Sequence, residues 1–170
     1  MTHNLYISLP VTLFSRPPET PAIDWTEVDT GPGVVSLPEG HEYGFRIHTS
    51  DDQDLATLVK ELVGLQPVTY ANLAENRKIT GDGVELLKAF PRLAYINLSS
   101  CGLSNEDIAH LQAFTHLTTL DLSYCNRLTG LALKFLRTLP NLQNLNLQGC
   151  IKITNGDVAR FKKRGLTINK

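Results

Sequence analysis

The chain has 170 residues, of which 42% are hydrophobic and 19% charged, with a net charge of −1; it is long enough to bury one sizeable core, and its composition is ordinary for a soluble globular protein. No apolar run approaches the ~20 residues of a membrane-spanning helix, and residues 5–14, interrupted by Ser8 and Pro10 and preceded by no Lys or Arg, read as structure and not as a signal segment. Charge is unevenly placed: residues 1–61 hold ten acids and three bases, residues 62–170 seven acids and thirteen bases, and from Leu122 onward Asp157 is the single acid against nine bases.

Residues 1–41 show no periodicity and read as a non-repeat, β-rich N-terminal cap. Pro17, Pro18 and Pro21 make a stiff, non-helical passage. Residues 23–28 carry the only tryptophan, Trp25, expected to plug an open end of the core. Gly31-Pro32-Gly33 reads as a turn. Residues 34–37, then Pro38-Glu39-Gly40, then residues 43–47 read as strand, turn and strand. An end repeat exposes an apolar face and a strand edge, which a cap covers.

Residues 42–170 read as a repeat domain. A block of the form L-x-x-L-x-L-x-x-(N/C) starts at Val68, Leu93, Leu117 and Leu142, at spacings of 25, 24 and 25 residues. Its three apolar positions are filled in all four copies: Val68/Ala71/Leu73, Leu93/Ile96/Leu98, Leu117/Leu120/Leu122 and Leu142/Leu145/Leu147. Position nine reads Asn76, Cys101, Cys125 and Cys150. Phe45-Arg46-Ile47 begins a degenerate earlier copy, followed by a helix capped by Ser50 or Asp51. Each later copy continues into a helical stretch: Val84/Leu87/Phe90, Ile108/Leu111/Phe114, Leu133/Leu136/Leu139 and Val158/Phe161, started by Thr80, Ser104, Thr129 and Thr154. Residues 166–168 form a short closing strand reached through Gly165.

Strands stack about 4.8 Å apart and helices about 8–10 Å apart, so strand–turn–helix units curve with the strands inside. Crossovers between parallel strands are right-handed. The expectation is an α/β fold: a short right-handed solenoid or horseshoe, with a parallel concave sheet and convex helices.

The unit L-x-x-L-x-L-x-x-C-x-x-[IL]-[TS] resembles the cysteine-containing leucine-rich repeats of F-box/leucine-rich-repeat receptors and of similar bacterial proteins. The resemblance covers residues 42–170. It implies a ribonuclease-inhibitor-like architecture and protein recognition through the concave face or its rims. Residues 1–40 carry no F-box pattern, so a ubiquitin-ligase role is not carried over.

The chemistry-bearing residues favour binding over catalysis. Neighbouring cysteines of the column stand about 5 Å apart and the outer two about 10 Å, too far for one tetrahedral zinc with Zn–S near 2.3 Å. Parallel side chains are poorly placed for a disulfide. A ladder of reduced core thiols and Asn76 bonded to the turn backbone is the expected role, and points to a cytoplasmic setting. No serine or cysteine has an evident histidine partner and no glycine-rich phosphate loop follows a strand, so no catalytic residue, metal or cofactor is expected. The basic run Arg160, Phe161, Lys162, Lys163 and Arg164 reads as a solvated helix end.

Strand alternation turns Arg46, His48, Tyr70, Asn72, Tyr95, Asn97, Thr119, Asp121, Asn144 and Asn146 toward solvent on the inner face, with Gly44, Ala74, Ser99, Ser123 and Gln148 beside them. These are the candidate binding residues. Tyr70 and Tyr95 are expected side by side, bordered on the N-terminal side by Arg46 and His48. The reading is a non-enzymatic scaffold for a protein or peptide partner, without membrane attachment and with nucleic acid disfavoured. Weak, salt-sensitive head-to-tail self-association is expected from the charge asymmetry. The alternatives are anion or nucleic-acid binding through the basic C-terminal third, or a purely structural module.

Overall fold

A computed structural model describes residues 2–20, 24–161 and 163–170; the expectations that fall on Pro21, Ile23 and Lys162 lie outside the described residues. In chain order the elements are β1 (Thr2–Ile7), β2 (Val11–Arg16), β3 (Thr26–Thr30), β4 (Gly33–Pro38), β5 (Glu42–Ile47), α1 (Asp52–Leu62), β6 (Val68–Asn72) and α2 (Gly81–Leu86), which tightens into a 3-10 turn at Leu87–Ala89. There follow β7 (Tyr95–Asn97), a 3-10 segment (Asp107–Ala113), β8 (Thr119–Asp121), α3 (Ala132–Leu136), β9 (Asn144–Asn146), α4 (Asn155–Phe161) and β10 (Thr167–Asn169).

The main sheet is open, with eight strands in the order β10-β9-β8-β7-β6-β5-β2-β3. Strands β5 to β10 are parallel to one another. Strands β2 and β3 extend the β5 edge in antiparallel fashion. Strands β1 and β4 form a separate antiparallel ribbon. The strand–turn–strand expected over 34–47 is present as β4 and β5, but the two strands lie in different sheets. Successive helical segments pack on one another, α1 on α2, α2 on the 3-10 segment, and that segment on α3. The fold is therefore mixed α/β with a parallel sheet.

The repeated apolar positions explain the pairing. Ala71/Leu73, Ile96/Leu98, Leu120/Leu122 and Leu145/Leu147 are all buried and stack in register, within one apolar cluster that runs from Ile7 to Phe161. The helical parts are shorter and tighter than the expected helices. Their buried residues recur at steps of three, as in Ile108/Leu111/Phe114, which places them in line on a helix of three residues per turn. Asp51, and not Ser50, caps α1, with Asp54 completing a capping box. Thr80 caps α2, and Thr154 with Asp157 caps α4. Ser104 and Asp107 bond reciprocally at the 3-10 segment. Thr129 accepts from Leu131 N but stands before the first turn of α3, whose N-cap residue is Leu131.

The column at position nine forms the expected ladder. Cys101, Cys125 and Cys150 donate to the carbonyls of Leu73, Leu98 and Leu122 at 3.1, 3.2 and 3.0 Å. Asn76 donates to Ile47 O at 2.8 Å and Leu73 O at 2.9 Å, and accepts from Ser50 N at 2.7 Å. At the far end Lys170 Nζ donates to Cys150 O at 2.9 Å.

Candidate interaction face of the sheet

The face of the sheet opposite the helices carries two adjoining patches. The first is aromatic. Register sets Phe14 of β2 against Gly44 of β5, and Gly44 against Tyr70 of β6. Because Gly44 has no side chain, the Tyr70 ring lies across it; a Cβ there would stand 2.8 Å from Tyr70 Cβ. Phe14 meets Tyr70 edge-on at 5.6 Å, and Tyr95 meets it from the other side at 5.0 Å. Trp25 stacks on Tyr70 at 5.2 Å, and the Arg16 guanidinium sits 4.7 Å from the Trp25 ring centre. Arg16 is held from behind by Glu42, 2.7 Å from Nε.

One expectation is corrected here. Trp25 does not plug the core; it is half-buried on the same open face of the sheet as Tyr70, on whose ring it stacks. The two tyrosines are neighbours across β6 and β7 with ring centres 5.0 Å apart, as expected, and their ring planes cross at 71°, the edge-to-face arrangement aromatic quadrupoles favour. Burial raises the pKa of Tyr70 and pushes Tyr95 up to about 12, the latter helped by neighbouring Tyr70 and Asp121. Both phenols stay neutral donors and acceptors. Asn72 Nδ2 donates to Tyr70 Oη at 3.0 Å.

The second patch is polar. Asn72, Asn97, Asp121 and Asn146 occupy one column, and each uses a side-chain oxygen to accept the amide two residues on, at Ala74, Ser99, Ser123 and Gln148. Asn72 and Ser123, expected in solvent, are buried at 9% and 6% exposure; the cause at Asn72 is the Tyr70 ring and the turn it caps. Asn146 Nδ2 also donates to Asp121 Oδ2 at 2.9 Å. Asn97 keeps its amide NH2 uncommitted among the described residues. Tyr95, Thr119, Asp121, Asn144, Asn146 and Asn169 line a shallow hollow of about 190 Å3 over β7 to β10.

Arg46 on β5 and His48 just beyond its end are exposed, with Arg46 in register with Asn72. Arg46 borders the tyrosines closely enough for its charge to oppose the burial that raises the Tyr70 pKa, while Phe14 and Trp25 pack on the Tyr70 ring itself. His48 instead lines a separate hollow with Thr12, Thr30 and Thr49. Reading the sequence missed Phe14 and Arg16, although the buried alternation Val11/Leu13/Ser15 sets Thr12/Phe14/Arg16 on the other face. In the basic third, Arg137, Lys163 and Lys170 donate to the carbonyls of Arg160, Leu139 and Cys150. Among the described residues no group of three or more His, Cys, Asp or Glu is placed to hold a metal, and no helix is long and apolar enough to cross a membrane.

A sheet of parallel strands, each followed by a capped turn and a short helical return, defines an α/β repeat protein. A family model described as Leucine Rich repeat matches residues 115–136, the unit that contains β8. The Caenorhabditis elegans protein named "Putative RNA-binding protein EEED8.10" is 25% identical over 114 residues, which are 66% of this chain and 15% of that protein. A chain in the crystal structure of the Rad7 and Elc1 complex in yeast matches with a TM-score of 0.57 and 21% identity, over 69% of this chain and 29% of that one. The present chain thus spans less than a third of either relative. Together with the four sequence blocks, these matches support a leucine-rich repeat protein.

Proposed function

We propose that the chain is a non-enzymatic interaction module that takes a protein or peptide on the open face of its parallel sheet. The observation that carries this reading is the continuity of the two patches. An aromatic cluster held in place by mutual packing adjoins a column of amides and one carboxylate on rigid strands. Buried aromatics beside arginine are the composition of interface anchors, and side chains already ordered lose little entropy on binding. In this reading residues 42–170 form a right-handed solenoid with the sheet on its concave side. Residues 1–41 cap its N-terminal end, and β2 and β3 carry Arg16 and Trp25 onto the binding face. The setting proposed is cytoplasmic. The match to a component of a two-protein complex in yeast supports a protein partner.

The test uses a displayed random dodecapeptide library selected on the protein. Binders should lose at least tenfold in affinity, about 1.4 kcal/mol, on Tyr95→Ala combined with Asn97→Ala, with the melting temperature held. Selected peptides that bind this variant as they bind the parent would remove the sheet face from consideration.

The runner-up reading, binding of an anion or nucleic acid by the basic third, draws support from the name of the nematode relative and from a hollow of about 440 Å3 lined by Lys134, Arg137, Lys152 and Arg160. Asp157 lines the same hollow, and the Arg137 guanidinium is engaged with Arg160 O at 2.6 Å, which lowers its standing. A steep loss of oligonucleotide affinity with salt would favour it.

A further inference from the structure

The turns that follow the parallel strands line one rim of the sheet. Between the turns after β6, β7 and β8 the rim holds a hollow of about 430 Å3, lined by Arg77, Ser100, Gly102, Tyr124, Asn126 and Arg127, with Cys101 also in its wall. No carboxylate lines it. Arg127 is fixed by donation from Nη1 to Gly102 O at 2.7 Å. Gly102 in turn lies against the preceding turn, where a Cβ would stand 2.7 Å from Arg77 O. The Arg77 guanidinium is exposed and has no hydrogen-bond or ion-pair partner among the described residues.

Tyr124 is the unusual member. One residue of each turn has left-handed backbone: Thr49, Glu75, Ser100, Tyr124 and Gly149 have φ of 50, 67, 56, 59 and 74°. Glycine suits that region and a bulky side chain does not. Folding alone therefore favours glycine or asparagine at 124, yet a tyrosine stands there 53% exposed. Its ring has a seat: a Cβ on Gly149 would stand 2.6 Å from Tyr124 Cε1. An aromatic ring with a hydroxyl is thus held at an unfavourable backbone position, beside one fixed and one uncommitted arginine.

We propose that this rim hollow receives an acidic side chain of a protein partner, with Arg77 forking onto the oxyanion and Tyr124 supplying its hydroxyl and ring. A guanidinium presents paired N–H donors that match a carboxylate or a phosphoryl group. Two arginines in one hollow, with Glu75 exposed in the same turn as Arg77, fit a single acidic contact and not the run of cations a nucleic-acid backbone requires. The proposal rests on the reading of the chain as a protein-interaction module and adds a second, rim contact to it.

The probes are three fluorescein-labelled octamers: oligoglutamate, the same peptide with one central phosphoserine, and octauridylate. Binding is read by anisotropy on the full chain. A peptide should bind, and its Kd should rise at least fivefold on Arg77→Gln and on Tyr124→Gly. Tyr124→Gly should melt at the parent temperature or above it, since glycine suits the backbone there. A preference for the phosphoserine peptide identifies a phosphoryl group as the ligand, and equal binding a carboxylate. Absence of peptide binding, unchanged Kd in both variants, tighter binding of octauridylate than of either peptide, or a melting temperature lowered by Tyr124→Gly each overturns the proposal. The face variant Tyr95→Ala with Asn97→Ala should leave these Kd values unchanged. Peptide binding lost there and kept in the rim variants overturns the rim site while leaving the sheet-face reading intact. The reverse pattern, with library binders also indifferent to the face variant, keeps the rim and overturns the face.

Discussion

Asn76 and the three thiols hold equivalent places in successive turns, but they are not equal in energy. Asn76 is 1% exposed and joins two repeats through Ile47 O, Leu73 O and Ser50 N. Asn76→Ala leaves buried backbone groups unpaired and should cost about 2–3 kcal/mol. Cys125→Ala loses one weak donor and some packing, and should cost about 1–2 kcal/mol; urea melts of the two variants check the order. Burial pushes the thiol of Cys101 up to about 11 and that of Cys125 to about 12, against an ordinary value of 9.0. Below pH 9 the thiols are protonated whether the chain is folded or not, and their contribution is whole. From pH 9 to about 11–12 the unfolded chain loses protons that the folded chain keeps, so stability falls as pH rises through that window. Tyr95, raised from 10.0 to about 12, acts in the same direction. Melts at about pH 8 and about pH 10.5 should show this fall, and Cys125→Ala should flatten it. Equal pH dependence in parent and variant would show that the thiol does not titrate on unfolding.

Strand register builds the aromatic patch, and Gly44 is the position on which it turns. Gly44→Ala places a methyl under the Tyr70 ring, a form of overpacking that should cost about 1–3 kcal/mol. Trp25 is the sole tryptophan and stacks on that ring, so its emission should move to longer wavelength as the ring shifts; unchanged emission would place the contact elsewhere. The parallel strands could be read from the sequence because the same pattern recurs every 24–25 residues and each copy pairs with the next. The tightness of the helical returns was not legible, because apolar spacings of three and four suit one face of an α-helix as well as a 3-10 turn. Strand β2 offered no such guide. It pairs antiparallel with β5 across about 30 residues of chain and with β3 through a shifted register at Leu13/Phe14, neither of which any repeat specifies. Hence Tyr70, Tyr95 and the asparagine column could be placed from sequence, while the packing of Phe14, Arg16 and Trp25 around them could not. The burial of Asn72 was hidden for the same reason, since it follows from the ring that covers it.

Across the whole molecule, the sheet order sets the acidic and basic parts of the chain apart. Strand β3, with Glu27 and Asp29, forms one edge, and β10, followed by Lys170, forms the other. Ordinary edge-to-edge strand pairing is hindered at β3, because Asp29 already accepts from the amides of Thr30 and Ser36 at 2.8 Å each. Any attraction between copies is then expected to be electrostatic. Carbonyl contacts made by Arg137, Lys163 and Lys170 fix these side chains without neutralising them, so the basic end keeps its field. Unlike poles meeting head to tail make a heterologous contact that propagates and does not close unless the rotation allows a ring. At ~0.01 M salt the screening length is ~30 Å, comparable to the width of an eight-stranded sheet, and near 0.15 M it falls to ~8 Å. Sedimentation at low salt should therefore show a mean mass that climbs with concentration and has no fixed stoichiometry. Raising the salt to ~0.3 M should return it to the monomer. A strict monomer at low salt would mean that the charge asymmetry is too diffuse to act between copies. A dimer indifferent to salt would point to an apolar contact, for which Ile151, 76% exposed beside the last turn, is the first residue to replace.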